Sequence, residues 1–248
     1  MSDSGMKSRK RLTIAYELVF GIRVYKGFYE WVSSIARSSF DYALTGCLHD
    51  PCEYITTPIV IKRYGFYFTL FPGGSIYDAL IDKAEPLAFD TIRGLKGGLF
   101  VDVGAGEGGY TIMLSNNYKK IIAVEPNPAR SARLSQNILL NHITNVDICR
   151  VRLSDKAERS AQTLDDLVPK NTIIDLLKID VDGPELSVLK GGQDCLRRTN
   201  VLMVEVRKST ETAVLELMHS VGFTGLQLDR LVPDQGEQSV NMLFIHGK

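Results

Sequence analysis

The sequence predicts an α/β protein: a doubly wound, mostly parallel seven-stranded sheet preceded by an N-terminal extension of helix and β-structure. Three observations predict it. From Gly98 onward, short apolar runs alternate with helical segments, the pattern of successive βαβ units. The first of those runs ends in a glycine-rich turn, Gly104-Ala-Gly-Glu-Gly-Gly109, that leads into a helix. And the chain, at 248 residues, is longer than the ~150 residues a minimal nucleotide-binding α/β unit needs. The surplus is assigned to an extension over residues 1–75, with the core domain over 76–248.

Composition narrows the function classes. Apolar residues make up 44% and charged residues 23%, which excludes a disordered, collagen-like or coiled-coil chain. Lys+Arg and Asp+Glu are both 29, so no global charge recruits a polynucleotide, although a local basic patch is open. The four cysteines, Cys47, Cys52, Cys149 and Cys195, form no Cys-x-x-Cys pair and read as free thiols in a reducing compartment. Cys47, His49 and Cys52 offer three metal ligands, but a fourth ligand and a standard spacing are missing, so no metal site is assigned. Neither a secretory signal nor a run of 18 apolar residues is visible, which predicts a cytoplasmic protein.

Taken in order, residues 1–11 form a basic tail, with Lys7, Arg9, Lys10 and Arg11 against Asp3. Residues 12–40 lack proline and space Leu12, Tyr16, Val19, Phe20, Phe28, Trp31, Val32 and Ile35 as a helix, with Gly21 and Gly27 as interruptions. Its apolar stripe packs on the main domain or, with the basic tail, touches a membrane surface. Residues 53–71 read as a hairpin turning at Gly65, and a helical stretch follows from Ser75 to Leu95. Strands are then expected at Leu99–Val103, Ile121–Glu125, Val146–Val151, Ile173–Ile179, Val201–Val206, Phe223–Leu228 and Val240–Ile245. The last two lack a helix between them and form a terminal hairpin. His142 and His219 fall in predicted helices.

The glycine turn lets the backbone approach a ligand closely. Glu125 ends the next strand, close to the ~20-residue offset of a carboxylate that binds a ribose hydroxyl pair, so an adenosine-containing cofactor is expected. Gly104, Gly106 and Gly109 also satisfy Gly-x-Gly-x-x-Gly, which keeps a dinucleotide, and with it an NAD-dependent oxidoreductase, as an alternative. Asp102 and Glu107 would repel a pyrophosphate but suit the ammonium and sulfonium of S-adenosylmethionine.

A second acidic strand end follows: Lys178-Ile-Asp180-Val-Asp182-Gly-Pro-Glu185. Lys178, Asp180 and Asp182 share one face if the strand continues. Asp182 is otherwise a helix cap, and Pro184 suits the first turn of the next helix. Glu205 ends the following strand and should lie beside Asp180 if the strands are neighbours. Two such carboxylates can supply a general base or hold a divalent metal.

Taken together, Phe100-Val-Asp-Val-Gly-Ala-Gly-Glu-Gly-Gly-Tyr110, Val124-Glu-Pro-Asn127, Asn137 within Gln136-Asn-Ile-Leu-Leu-Asn141, Thr163-Leu-Asp-Asp166, Leu177-Lys-Ile-Asp-Val-Asp-Gly-Pro-Glu185 and Val188-Leu-Lys-Gly-Gly192 resemble the FkbM family of S-adenosylmethionine-dependent methyltransferases. The resemblance spans about Ile76 to His246. It implies the Rossmann-like class I methyltransferase fold and S-adenosylmethionine as cofactor. Asp102, Gly104 and Gly106, with Ala105 and Glu107 in the same loop, would contact the methionine part. Glu125 would bind the ribose, Pro126 and Asn127 the adenine side, Ser154 and Asp155 the adenine edge, and Asp180 would sit near the methyl group. Members typically methylate hydroxyls on sugars or other small molecules, so the implied partner is a small-molecule hydroxyl acceptor or a glycan. Asp180 and Glu205 are the base candidates, and Lys178 orients a substrate oxygen or pairs with them. The family often carries Glu where Asp182 stands. A nucleic-acid or protein methyltransferase is the alternative, although Asp180-Val-Asp-Gly replaces the Asn/Asp-Pro-Pro-Tyr/Phe signature of amino-group methylation.

Overall fold

A computed structural model describes residues 23–45, 50–230 and 238–247. The basic tail, Cys47 and His49 lie outside those residues. Strand β1 (Arg23–Lys26) is followed by helix α1 (Phe28–Thr45), and β2 (Ile59–Arg63) and β3 (Phe66–Leu70) form a hairpin. Then come α2 (Ile81–Ala84), α3 (Pro86–Ile92), β4 (Gly97–Val103), α4 (Gly109–Met113), β5 (Tyr118–Val124), α5 (Pro128–Leu140) and β6 (Val146–Cys149). Two short strands, β7 (Arg152–Leu153) and β8 (Ala161–Gln162), precede α6 (Leu164–Leu167), β9 (Ile174–Ile179), α7 (Glu185–Lys190) and α8 (Gln193–Arg197). The chain ends with β10 (Thr199–Arg207), α9 (Glu211–Ser220), β11 (Phe223–Arg230) and β12 (Ser239–His246).

The chain divides into two compact units. The larger comprises Glu85–Ala105, Leu114–Pro128 and Asn145–Lys248. Its seven-stranded sheet has the order β11-β12-β10-β9-β4-β5-β6. β10, β9, β4, β5 and β6 are mutually parallel, and β12 runs antiparallel to both β10 and β11. The expected doubly wound, mostly parallel sheet of seven strands is present, and β12 enters between β10 and β11. The central strands are buried along nearly their whole length, as Val101, Val103, Leu177, Ile179, Leu202 and Val204 show. Continuous apolar runs are what a parallel sheet covered on both faces requires.

The other unit comprises the described residues up to Ala84 together with Gly106–Met113 and Ala129–Thr144. Its sheet has the order β1-β2-β3. The β2–β3 turn uses Tyr64 at φ 49° and Gly65 at φ 88°, the pair of left-handed residues that a two-residue hairpin loop needs. Ile59, Ile61, Phe68 and Leu70 are buried on alternate positions. The helix expected over residues 12–40 is corrected here. Within its described part, Arg23–Lys26 is a strand paired antiparallel with β2, and the helix starts only at Phe28. Gly27, at φ +83°, makes the break. Trp31 and Ser34 of α1 are buried while Phe28, Tyr29 and Val32 are exposed. No helix among the described residues is long and apolar enough to cross a membrane. The expected helix from Ser75 to Leu95 is three short pieces, interrupted at Glu85-Pro86, because proline removes an N–H and clashes with the preceding turn. His142 sits beyond the end of α5 in a left-handed turn, φ 55°, not in the helix.

Candidate active site

Strand register in the larger unit brings charged residues together. Asp102 of β4 pairs with Lys178 of β9, which pairs in turn with Met203 of β10. Two residues further along, Asp180 and Glu205 stand at the ends of neighbouring parallel strands. The Asp180 N–H donates to the Val103 carbonyl at 2.9 Å. Because side chains alternate along a strand, Asp102, Lys178, Asp180 and Glu205 share one face. Lys178 Nζ lies 3.1 Å from Asp180 Oδ2 and 3.7 Å from Asp102 Oδ1. Lys178 and Asp102 are 3% and 1% exposed, but Asp180 is 27% exposed, so of these three it is the one that a ligand reaches most directly.

Electrostatics distribute the protons. Burial works against the Lys178 ammonium, but Asp180, Asp102 and Glu85 outweigh it and hold Lys178 charged above its ordinary range. Burial raises Glu205, and its hydrogen bond to Asp180 and that carboxylate's charge raise it further, to about 9. At neutral pH Glu205 therefore keeps its proton. Two residues invisible to sequence reasoning join this row. Asn241 of β12 lies directly opposite Glu205, and its Nδ2 donates to Glu85 Oε2 at 2.8 Å with both side chains buried. Only an antiparallel insertion next to β10 places Asn241 there, and no local motif marks it.

Asp182 does not join the row, which corrects the shared-face expectation. β9 ends at Ile179, and Asp182 is exposed in a left-handed turn at φ 57°. It does not cap the next helix either. Pro184 is the N-cap residue, without a side-chain bond. Glu185 is buried, and its Oε1 accepts the Gly183 N–H at 2.7 Å.

The glycine turn begins in this unit. A Cβ on Gly104 would stand 1.6 Å from the Asp180 carbonyl oxygen, and φ there is +82°. Glycine alone allows the two strand ends to approach so closely. The N–H groups of Gly104 and Ala105 both donate to the Val124 carbonyl, at 2.9 and 3.0 Å. Glu125 follows directly, 4% exposed, and its Oε1 accepts the Asn127 N–H at 2.8 Å. Pro126 and Asn127 are exposed beyond it. Ser154 and Asp155 follow β7. Ser154 Oγ donates to the Lys156 carbonyl at 2.6 Å, and the Asp155 N–H donates to Ser187 Oγ at 3.1 Å.

Gly106 and Glu107 belong to the other unit. Glu107 is buried, and Arg133 Nη1 lies 2.8 Å from its Oε1. Burial raises the Glu107 carboxyl while the Arg133 bond and charge oppose it. Asp78, unsuspected from sequence, faces the same loop. Its Oδ1 accepts the Gly109 N–H at 3.2 Å, and a Cβ on Gly106 would stand 2.9 Å from that oxygen. Burial and the nearby Glu107 carboxylate push Asp78 up to about 7. Among the described residues no group of three or more His, Cys, Asp or Glu side chains could hold a metal ion.

Residues 150–224, which include Asp180 and Glu205, match the family profile described as methyltransferase FkbM domain. That match covers less than a third of the chain. Methyltransferase FkbM from Methylobacillus flagellatus KT superposes with a TM-score of 0.51 at 17% identity, covering 60% of this chain and 43% of that one. M. jannaschii TYW2, solved in complex with AdoMet, superposes with a TM-score of 0.51 at 19% identity, covering 77% of this chain and 87% of that one. At these identities the likeness shows the fold, the Rossmann-like class I methyltransferase fold. A Dictyostelium discoideum protein named "Probable dimethyladenosine transferase" is 32% identical over 77 residues, 31% of this chain and 21% of that protein. The chain thus spans about a fifth of that relative's length and less than half of the Methylobacillus chain.

Proposed function

We propose that the chain is an S-adenosylmethionine-dependent methyltransferase whose acceptor is a hydroxyl oxygen on a sugar or another small molecule. The observation that carries this reading is the row Asp102, Lys178, Asp180 and Glu205 at the carboxyl ends of three adjacent parallel strands, where open α/β sheets bind ligands. The residues fit this cofactor better than a dinucleotide. Asp78 already accepts the Gly109 N–H at the start of α4, where a pyrophosphate would bind a helix N-terminus. Asp102, buried beside the turn, would repel a pyrophosphate and suits a cationic ligand.

In this reading Asp102, Gly104, Ala105 and Gly106 receive the methionine part. Glu107 contributes backbone, because Arg133 takes its carboxylate. Glu125 binds the ribose hydroxyls, and Pro126, Asn127, Ser154 and Asp155 border the adenine. The cofactor supplies a methyl carbon bonded to a sulfonium, already activated for displacement. Asp180 accepts a hydrogen bond from the acceptor hydroxyl and aligns its oxygen lone pair. Were the C–O bond to form as the methyl–sulfur bond breaks and the sulfonium leaves as a neutral thioether, that proton would become strongly acidic, so even a carboxylate paired with Lys178 would be base enough to take it. Lys178 holds the Asp180 carboxylate in place, and protonated Glu205 steadies it from the neighbouring strand.

Asp180→Asn keeps the shape and removes the base. Turnover should fall by about 10²–10⁴-fold, while S-adenosylmethionine affinity measured by calorimetry stays within a few-fold. Unchanged turnover would remove Asp180 from the chemistry. A nucleic-acid acceptor is the second reading, favoured by the 77-residue match to a dimethyladenosine transferase. The neutral net charge and the Asp180-Val-Asp-Gly sequence favour the hydroxyl. Transfer of labelled methyl to bulk RNA, with none to a glycan and small-alcohol panel, would decide for the second reading.

A further inference from the structure

We infer that Asn137 is a positioning residue for the cofactor loop: from α5 it ties the Glu107 carbonyl to the edge of the N-terminal hairpin, so the hairpin helps set cofactor affinity. The inference rests on the methyltransferase reading above. Asn137 is 1% exposed. Its Nδ2 donates to the Glu107 carbonyl at 3.1 Å, and its Oδ1 accepts the Thr69 N–H at 2.8 Å. Both ends of one side-chain amide are thus spent on backbone groups far apart in sequence. Glu107 sits between Gly106 and Gly108, at φ +57° and +109°, in a stretch with little conformational preference of its own. A bond from a helix to its carbonyl selects one conformation. Arg133, also of α5, reinforces the grip. It pairs with the Glu107 carboxylate and donates to the carbonyls of Pro72 and Gly73 at 2.9 and 3.2 Å.

Asn141 supplies an internal control. β3 is an edge strand, and its outward backbone groups require partners. Asn141 Oδ1 accepts the Tyr67 N–H at 2.7 Å, and its Nδ2 donates to the Tyr67 carbonyl at 2.6 Å. Asn141 Nδ2 also donates to the Asn137 carbonyl at 2.8 Å. The two asparagines therefore bind the same strand edge two residues apart. The bonds found for Asn141 end on Tyr67 and Asn137, and only Asn137 reaches the glycine loop. If Asn137 merely stabilised the fold, the two would behave alike.

The experiment measures S-adenosylmethionine and S-adenosylhomocysteine binding by calorimetry on the full chain, with melting temperature recorded in parallel. Asn137→Asp keeps an acceptor for Thr69 and loses the donor to Glu107, and Asn137→Ala loses both. Each should weaken cofactor binding about tenfold, the worth of one buried hydrogen bond. Asn141→Ala should lower the melting temperature and leave affinity within twofold. Equal affinity for wild type and both Asn137 variants would overturn the inference. So would an Asn141→Ala loss as large as theirs. A wild-type chain that binds neither compound would instead overturn the methyltransferase reading. A second measurement needs no variant. Linkage is reciprocal, so saturating cofactor should slow hydrogen exchange in the segment 66–70. Unchanged exchange there also counts against the role of Asn137.

Discussion

Lys178 illustrates how one residue depends on its neighbours. An ammonium that is 3% exposed costs several kcal/mol to bury alone. Here Asp102 and Asp180 flank it on the same sheet face, and each partner makes the others tolerable. Replacing Lys178 by Met preserves the volume but leaves Asp102, 1% exposed, without its nearest cation. Removing one partner of a buried pair typically costs about 3–5 kcal/mol. Urea denaturation should show a loss of that order, and a loss below about 1 kcal/mol would mean that the Asp102 carboxylate is satisfied by other bonds. The Asp180 and Asn137 substitutions act differently, since their first effect is on turnover or binding.

At the scale of elements, short motifs turn out to be joints. Thr163 caps α6: its Oγ1 accepts the Asp166 N–H at 3.1 Å and donates to Asp166 Oδ2 at 2.7 Å. Asp165, in the same motif, serves α8 instead, accepting the N–H groups of Asp194 and Cys195 at 3.1 and 2.7 Å. Two residues of one four-residue motif thus cap the starts of two helices. Thr163→Ala should cost about 1 kcal/mol of stability with cofactor affinity unchanged. A change in affinity would show that α6 acts on the site. The hairpin turn at Gly65 and the central strands were legible in the sequence, because turn chemistry and apolar runs are local signals. β1 was not. Its four residues show no alternation strong enough to override the surrounding helical spacing, and pairing with β2 alone makes them a strand.

For the whole molecule, the two most strongly raised carboxyls dominate the pH dependence. Asp78 and Glu205 hold protons more tightly in the folded chain than in the unfolded one, at about 7 and about 9 against 3.8 and 4.5. The folded state therefore binds more protons across that range, and stability falls as pH rises. The Asp78 contribution is full below pH 3.8 and gone above about 7. That of Glu205 declines from 4.5 to about 9. Asp78→Asn should flatten the stability profile between pH 5 and 7, and Glu205→Gln should extend the flattening toward pH 9, measured as urea midpoints. A wild-type midpoint that climbs from pH 6 to 9 would contradict both assignments.

By itself, the sequence determined the strand–helix alternation, the glycine turn and the acids at three strand ends. Each is written within a few neighbouring residues: apolar runs, glycines that permit positive φ, carboxylates that close a strand. It also carried the FkbM resemblance that the match over residues 150–224 bears out. Tertiary structure alone decided which of those acids meet and which keeps its proton. Asp180 and Glu205 are 25 residues apart, and only the β9–β10 pairing joins them; burial first, and then Asp180, raises Glu205. Asp182, two residues from Asp180, is turned away by the end of β9. Asn241, Asp78 and Asn137 reach their partners across 156, 31 and 68 residues. Proton affinity and hydrogen bonding depend on distances of a few ångströms, and the fold creates those distances between residues that the sequence keeps far apart.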